Sequence, residues 1–211
     1  INRDEIPEFK MPWLIILFLL PVIGSFVFML LSSNSTSRKE IIQLNFSSVF
    51  VADAAVSPDS KTVAVITIGQ ENGSFFSQLL LYPVDSSEPS ATLSLGNLAV
   101  LDLDYEAEQL WALGEDRLLS VAADGSDYET YSFGRSYLKG CHLGGDGFAV
   151  LLLGRYQAGG AEQVLTIDPQ CQLIAQAPLR GQVLSFSAAG RYLSLLTGSG
   201  LEIYTRDMSL Y

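Results

Sequence analysis

The chain has few basic residues, a single histidine and only two cysteines. It carries 12 Lys and Arg against 23 Asp and Glu. Four residues of each sign lie within residues 1–40, so the whole net charge of −11 belongs to the chain after position 40. A surface this acidic repels phosphate backbones and anionic headgroups. The composition argues against nucleic-acid binding and predicts no nucleic-acid partner.

No charged residue occurs between Met11 and Leu31. A helix of this length spans roughly 30 Å, the thickness of a bilayer's hydrocarbon core. The pattern predicts a transmembrane helix over 11–32, between a juxtamembrane segment 1–10 and a polar linker 33–40. The bilayer is then one partner, contacted through Met11 to Leu31. A cleaved signal peptide and a buried core helix are the alternatives, and the exit "LLSS" is a poor cleavage site.

The N-terminal sequence "INRDEIPEFKMPWLIILFLLPVIGSFVFMLL" resembles a membrane helix of the N-terminal domain of bacterial cardiolipin synthases. The resemblance covers about the first forty residues and implies a membrane anchor. The catalytic part of that family needs two H-x-K-x-x-x-x-D motifs, in which one histidine attacks phosphorus and the other protonates the leaving alcohol. His142 is the only histidine and is followed by Leu143 and Gly144. This chain therefore carries neither copy.

Turn-like tetrads recur after Glu40 at intervals of about 40 to 47 residues, each flanked by alternating apolar runs. The tetrads are "SPDS" from Ser57, "DYEA" from Asp104, "GGDG" from Gly144 and "SAAG" from Ser187. This period, with several short strands per unit, is typical of β-propeller blades. The sequence predicts an all-β, WD40-like β-propeller domain over 41–211 with about four blades, near 53–96, 97–134, 135–180 and 181–211.

Both ends of this domain suggest an incomplete ring. The segment "IIQLNFSSVFVA" looks like the closing strand of a blade that has no beginning, and "GLEIYTRDMSLY" looks like an unfinished hairpin. The chain also lacks an initiating Met, so we expect a fragment of a longer protein. Unpaired sheet edges recruit other chains, so we expect an open arc that self-associates.

The runs "LDLDYEAEQLWAL", "YLKGCHLGGDGFAVLLLGRY" and "VLSFSAAGRYLSLLTGSGLEIY" resemble the C-terminal half of an uncharacterised family of Gram-positive bacterial membrane proteins. That family has one N-terminal helix and an outward-facing propeller. The resemblance covers most of residues 53–206 and implies a single-pass protein of the cell membrane with an extracytoplasmic β-domain. Basic residues are balanced on the two sides of the predicted helix, so the positive-inside rule does not set its orientation.

Four motifs could carry chemistry, and each has a simpler structural interpretation. Ser136 and Lys139 match S-x-x-K, but no S-D-N or K-T-G motif follows. The alternating Asp102, Asp104, Glu106 and Glu108 could bind a cation, but a solvated turn is favoured. The "GGDG" tetrad lacks the Lys-Ser/Thr of a phosphate loop and predicts a hairpin turn. A lone His142 is expected in a turn rather than as a ligand.

Cys141 and Cys171 lie thirty residues apart in the sequence. Oxidation to a disulfide is possible in an extracytoplasmic domain, but nothing places the two opposite each other, and buried free thiols are the favoured alternative. The sequence thus predicts no catalytic residues, no cofactor and no metal site.

Two functions remain open. One is a non-enzymatic, membrane-anchored propeller that binds a protein or cell-envelope partner as a scaffold. The other is a fragment or fusion related to cardiolipin synthase, in which only the membrane segment is retained.

Overall fold

A computed structural model of the protein describes residues 42–106 and 109–210, which belong to one compact unit. The predicted transmembrane helix 11–32, the juxtamembrane segment 1–10 and the whole linker 33–40 therefore lie outside the described residues, as does Glu108. Within the described ranges, no helix has the length and hydropathy that a membrane span requires.

The described chain is all-β, which confirms the all-β part of the predicted fold class. Its strands form four antiparallel sheets, in which each strand pairs with its neighbour in sequence. Sheet 1 comprises β1 (Phe50–Val56), β2 (Thr62–Glu71), β3 (Ser74–Pro83) and β4 (Ala91–Gly96). Sheet 2 comprises β5 (Val100–Glu106), β6 (Gln109–Gly114), β7 (Arg117–Val121) and β8 (Tyr128–Ser132). Sheet 3 comprises β9 (Tyr137–Gly145), β10 (Phe148–Gly154), β11 (Gln163–Ile167) and β12 (Leu173–Pro178), and sheet 4 comprises β13 (Val183–Ala189), β14 (Tyr192–Thr197) and β15 (Gly200–Thr205).

Hydrophobic patterning follows the position of each strand in its sheet. The second strand of sheet 3, "FAVLLLG", is buried at every residue, because both of its faces are covered by neighbouring sheets. The outer strand of sheet 1, "ATLSLG", alternates between exposed positions and positions that are at least half-buried. A continuous apolar run thus marks a strand inside the stack, and alternation marks a strand at its edge.

Three apolar cores hold consecutive sheets together. The first joins sheets 1 and 2 and includes Ile66, Leu79 and Leu110. The second joins sheets 2 and 3 around Trp111, and the third joins sheets 3 and 4 around Phe148. Within the described part of the chain, no buried cluster joins sheet 4 to sheet 1.

The first strands of the four sheets lie side by side, since β1 contacts β5, β5 contacts β9, and β9 contacts β13. A parallel bridge between Gly145 and Gly190, and a hydrogen bond from the Asp146 N–H to the Gly190 carbonyl (2.7 Å), fix sheets 3 and 4 in the same direction. Four meandering sheets with their first strands innermost are the arrangement of β-propeller blades.

The start of the domain differs from the sequence-based prediction. Residues 42–49 form no regular strand, and β1 is the first strand of sheet 1 rather than the last strand of an earlier blade. The Phe46 ring instead meets the Tyr82 ring edge-on, with centroids 6.2 Å apart. The prediction of a strand was wrong because Phe46 of this apolar run packs its side chain against sheet 1 and residues 42–49 form no strand pairs.

Candidate functional site

The inner strands bring together polar residues that are distant in sequence. Asp53 in β1 accepts hydrogen bonds from its neighbour Ala54 (2.8 Å) and from the backbone N–H of Leu103 in β5 (3.0 Å). Asp102 precedes that N–H in the chain and is exposed overall, although neighbouring protein atoms partly desolvate its carboxyl. Burial raises the pKa of Asp102 above its ordinary value of 3.8, and the charges of Asp53 and Asp104 raise it further.

This acidic group is not arranged as a cation site. The alternation predicted for the stretch is real, because Asp102 pairs with Leu113, Asp104 with Trp111 and Glu106 with Gln109 along one strand. Among the described residues, no group of three or more His, Cys, Asp or Glu side chains could hold a metal ion. Asp53 was missed by the sequence analysis, because its partner lies fifty residues away in the next sheet.

His142 lies on β9 and contacts β13. Its Nδ1 accepts a hydrogen bond from the Gly144 N–H (3.0 Å), and its Nε2 lies 3.3 Å from Ser187 Oγ. In the neutral ring the proton must then be on Nε2, so the imidazole donates to the serine. A general base in a Ser–His pair needs the opposite polarity, with an unprotonated nitrogen facing the hydroxyl. The pair therefore links two blades and is not set up to activate Ser187.

The other motifs take the structural roles that the sequence favoured. Ser136 precedes β9 and Lys139 lies within it, so the S-x-x-K match is not on a helix; the Lys139 Nζ donates to the Gln157 carbonyl at 2.8 Å. The "GGDG" tetrad is the turn between β9 and β10, in which Gly147 has a φ of +71°.

Both cysteines are free thiols. Cys171 is buried in the core between sheets 2 and 3, and the partly buried Cys141 packs against the same core. Burial raises the pKa of each thiol from 9.0 to about 12, with the charge of Asp102 adding to the effect at Cys141. Because the thiolate is the nucleophilic form, neither cysteine is an activated nucleophile.

Charge is distributed unevenly between the two ends of the sheets. We call one end the acidic end; its loops are 57–61, 84–90, 122–127, 146–147, 168–172, 190–191 and 206–210. Within the described residues these loops carry eight acidic side chains and three basic ones, namely Asp59, Asp85, Glu88, Asp124, Asp127, Asp146, Asp168 and Asp207 against Lys61, Arg191 and Arg206. At the opposite end the loops carry three of each, namely Glu115, Asp116 and Glu162 against Arg135, Arg155 and Arg180.

Hydrogen bonds between blades hold the acidic end in place. The Ser120 hydroxyl donates to the Pro169 carbonyl, and the Thr166 hydroxyl donates to the Arg206 carbonyl at 2.6 Å. Asp168 caps its own loop by accepting from the Gln170 and Gln172 N–H groups. Two of the loops that carry these carboxylates, 168–172 and 206–210, are thus anchored to a neighbouring sheet.

The opposite end contains a groove of about 710 Å³ at the end of sheet 3. Arg135 and Arg155 line it together with Gln163 and Gln176. Arg155 lies 3.9 Å from Glu162, and within the described part of the chain the Arg135 guanidinium has no ion-pair partner. This groove is a local exception in an acidic domain, and the sequence did not reveal it because its residues come from loops and strand ends that are far apart in the sequence.

Solved structures of low sequence identity have the same type of fold. A puromycin-hydrolysing peptidase of Mycobacterium tuberculosis is 14% identical over 81% of this chain, with a TM-score of 0.50, and the chain spans only 30% of that peptidase. The computationally designed Ika4 protein is 9% identical over 79% of this chain and 98% of its own, with a TM-score of 0.53. The WD40 domain of Neurospora crassa Pan2 is 13% identical over 76% of this chain and 48% of its own. Its TM-score of 0.45 is too low to support a conclusion about the fold. No protein-family model and no curated protein matches the sequence.

These similarities correct one prediction. The chain was expected to have no enzymatic role because it lacks recognisable catalytic motifs. A peptidase contains the same type of fold within a longer chain, so absence of motifs from a propeller domain does not show that the protein is not an enzyme.

Proposed function

We propose that the domain is a propeller-based binding or scaffold module whose acidic end docks a cationic segment of a partner protein at the cell envelope. The observation that carries this proposal is the concentration of eight carboxylates and three cations on the described loops at one end of the sheets. Such a surface attracts positively charged partners and speeds their encounter. The blades supply a rigid platform on which the loops are held.

A direct test measures binding of a fluorescent oligolysine peptide to the full chain by anisotropy at low salt. Replacing Asp85 and Glu88 with Asn and Gln removes two charges from the acidic end. Replacing Glu71 and Glu115 with Gln removes two charges from the opposite end and is the matched control. We expect the first variant to weaken binding several-fold and the control to bind like the native protein.

Salt dependence provides a second readout, since exposed charges are largely screened beyond about 10 Å at 0.1 M salt. Binding should weaken steeply as salt is added. Equal losses in both variants would mean that only the net charge matters, and the docking proposal would then be wrong.

We further propose that residues 11–31 tether the module to the cell membrane and that the β-domain lies on the extracytoplasmic side. The uncharged run of 21 residues supports the tether. Alkaline carbonate extraction of membranes tests this proposal: the full chain should remain in the pellet, and its release into the supernatant would contradict the tether. The alternative, a fragment or fusion related to cardiolipin synthase, is not favoured, because the described residues after the predicted helix form a propeller-like β-domain.

A further inference from the structure

The groove at the end of sheet 3 lies at the rim of the interface between sheets 2 and 3. Leu153 pairs with Gln163, and Leu165 pairs with Gln176. Directly opposed residues of neighbouring strands share one face of a sheet. Leu153 and Leu165 belong to the core that joins sheet 3 to sheet 2. The two glutamines therefore continue this face from the apolar core into the groove.

The turn that carries Arg135 is held in place on both sides. Phe133 is buried in the core between sheets 2 and 3, and its N–H donates to the Asp116 carbonyl at 2.9 Å. The Ser136 N–H then donates to the Phe133 carbonyl at 3.0 Å. The position of the Arg135 backbone at the groove is thus set by sheet 2 as well as sheet 3.

The loop that carries Arg155 folds back closely on its own sheet. A Cβ atom at Gly154 would lie 2.6 Å from the Gly160 carbonyl oxygen, so this close approach requires glycine. The Lys139 Nζ donates to the Gln157 carbonyl at 2.8 Å and fixes the middle of the loop to β9. Both arginines are therefore presented on backbone that is already ordered.

The polar side chains of the groove are not engaged by the protein. Within the part of the chain that the structure describes, no side-chain hydrogen bond or ion pair is made by Arg135, Ser136, Gln163 and Gln176. Arg155 has only the contact of 3.9 Å with Glu162. Because a guanidinium can donate hydrogen bonds but cannot accept them, a ligand of the two arginines must supply acceptor oxygen atoms.

Positive charge is concentrated around this groove. Eight Lys and Arg residues occur in ranges 42–106 and 109–210, and four of them lie at this end of sheet 3, namely Arg135, Lys139, Arg155 and Arg180. In these ranges, Glu162 is the one acidic residue of sheet 3 and its loops at this end. Asp116 in the neighbouring turn of sheet 2 is already paired with Arg117 at 2.8 Å. The groove therefore attracts anions.

The size of the groove and the charge of the whole chain favour a small ligand. The groove volume of about 710 Å³ falls within the range of about 300–1,000 Å³ that is usual for small-molecule sites. A long polyanion would extend over a surface whose chain carries a net charge of −11. A small anion stays within the local positive region, since charges beyond about 10 Å are largely screened at 0.1 M salt.

We propose that this groove binds a small organic anion. Its carboxylate or phosphate group accepts hydrogen bonds from Arg135 and Arg155, whose planar guanidinium groups match both anions. Gln163 and Gln176 contact the polar remainder of the ligand. This inference does not depend on the proposed cationic partner, because the groove and the acidic end lie at opposite ends of the sheets.

Nuclear magnetic resonance of the isotope-labelled full chain, in a mild neutral detergent, measures the binding. The chain is titrated with succinate and, separately, with inorganic phosphate. The Nε–Hε signals of Arg135 and Arg155 should shift and saturate, and the signal missing from each Arg→Gln variant identifies its guanidinium. Arg135→Gln should weaken binding at least about tenfold, because a charge-assisted hydrogen bond is lost.

Arg206→Gln is the matched control, because it removes the same charge from an exposed loop at the acidic end. This variant should bind like the native chain. Arg135→Lys keeps the charge but not the planar fork, and it should also bind more weakly than the native chain. Thermal melting of each variant verifies that it is folded.

The two titrations also identify the group that is recognised. Saturation by succinate alone assigns a carboxylate ligand, saturation by phosphate alone assigns a phosphate ligand, and both outcomes support the proposal. Absence of saturable shifts with either anion, or equal weakening by Arg135→Gln and Arg206→Gln, would overturn it. An oligoglutamate peptide that binds more tightly than succinate would contradict the assignment of a small ligand.

Discussion

Asp53 in β1 accepts a hydrogen bond from the backbone N–H of Leu103 in β5 across 3.0 Å. The two residues belong to different sheets, and Leu103 itself is buried in the core between them. A side chain therefore supplies the partner that this N–H needs where two blades meet. A buried donor without an acceptor is costly, so this contact fixes the position of sheet 1 relative to sheet 2 as well as stabilising it.

Asp53→Ala should lower the free energy of unfolding by about 1–3 kcal/mol, because the Leu103 N–H would lose its acceptor. Asp53→Asn keeps an amide oxygen at the same place and should retain most of the stability. Asp85→Ala, in an exposed loop, is the control and should change the stability by less than about 0.5 kcal/mol. Chemical denaturation of the full chain measures all three. Equal stability of the Ala and Asn variants would show that the hydrogen bond contributes nothing.

Asp102 should contribute less to stability near neutral pH than in acid. Burial and the neighbouring carboxylates of Asp53 and Asp104 raise the pKa of Asp102 above 3.8 in the folded protein, so the fold favours the protonated form. This stabilising contribution is complete below pH 3.8 and is lost as the pH rises through the higher folded-state pKa.

The corresponding variant is Asp102→Asn, which removes the charge and keeps the size. It should raise the melting temperature near neutral pH, and the gain should disappear below pH 3.8. Asp85→Asn removes a charge from an exposed loop and is the comparison. A gain for Asp102→Asn that is the same at both pH values would point to a cause other than ionisation.

The architecture was largely predictable from the sequence because it depends on local patterns. Alternation and turn tetrads mark strands and hairpins, as with "FAVLLLG" after the Gly147 turn. The recurrence of the whole unit indicates a propeller. The segment around Phe46 shows the limit of this reasoning, since an apolar alternation can cover a sheet without pairing with it.

The surfaces with candidate function were much harder to predict. Asp53 meets Leu103, and His142 meets Ser187, only because neighbouring blades place their first strands together. The groove beside Arg135 is assembled from loops and strand ends of sheet 3 that are distant in sequence, and the acidic end is assembled from loops of several sheets. Single-sequence reasoning finds periodicity within a blade, but it does not show which residues of different blades face each other.

Trp111 should be a principal contributor to stability. Its side chain is 1% exposed and lies in the core between sheets 2 and 3. Trp111→Ala should reduce the free energy of unfolding by about 3–5 kcal/mol, from lost burial and the cavity left behind. Leu101 on β5 is 58% exposed, so Leu101→Ala should cost less than about 0.5 kcal/mol. Similar losses in the two variants would mean that this core is not formed as described.

The two cysteines should be unreactive until the domain unfolds. Burial raises the pKa of Cys141 and Cys171 from 9.0 to about 12. Three pKa units lower the thiolate fraction about 1,000-fold at a pH below 9, and the thiolate is the form that reacts. Alkylation of the native protein should therefore be slow, and denaturant should make both thiols react quickly.

Mild oxidation of the folded chain should leave both thiols free. Rapid native alkylation of Cys171, or a bridge between the two cysteines, would contradict their placement, because Cys171 is 4% exposed within the core that joins sheets 2 and 3.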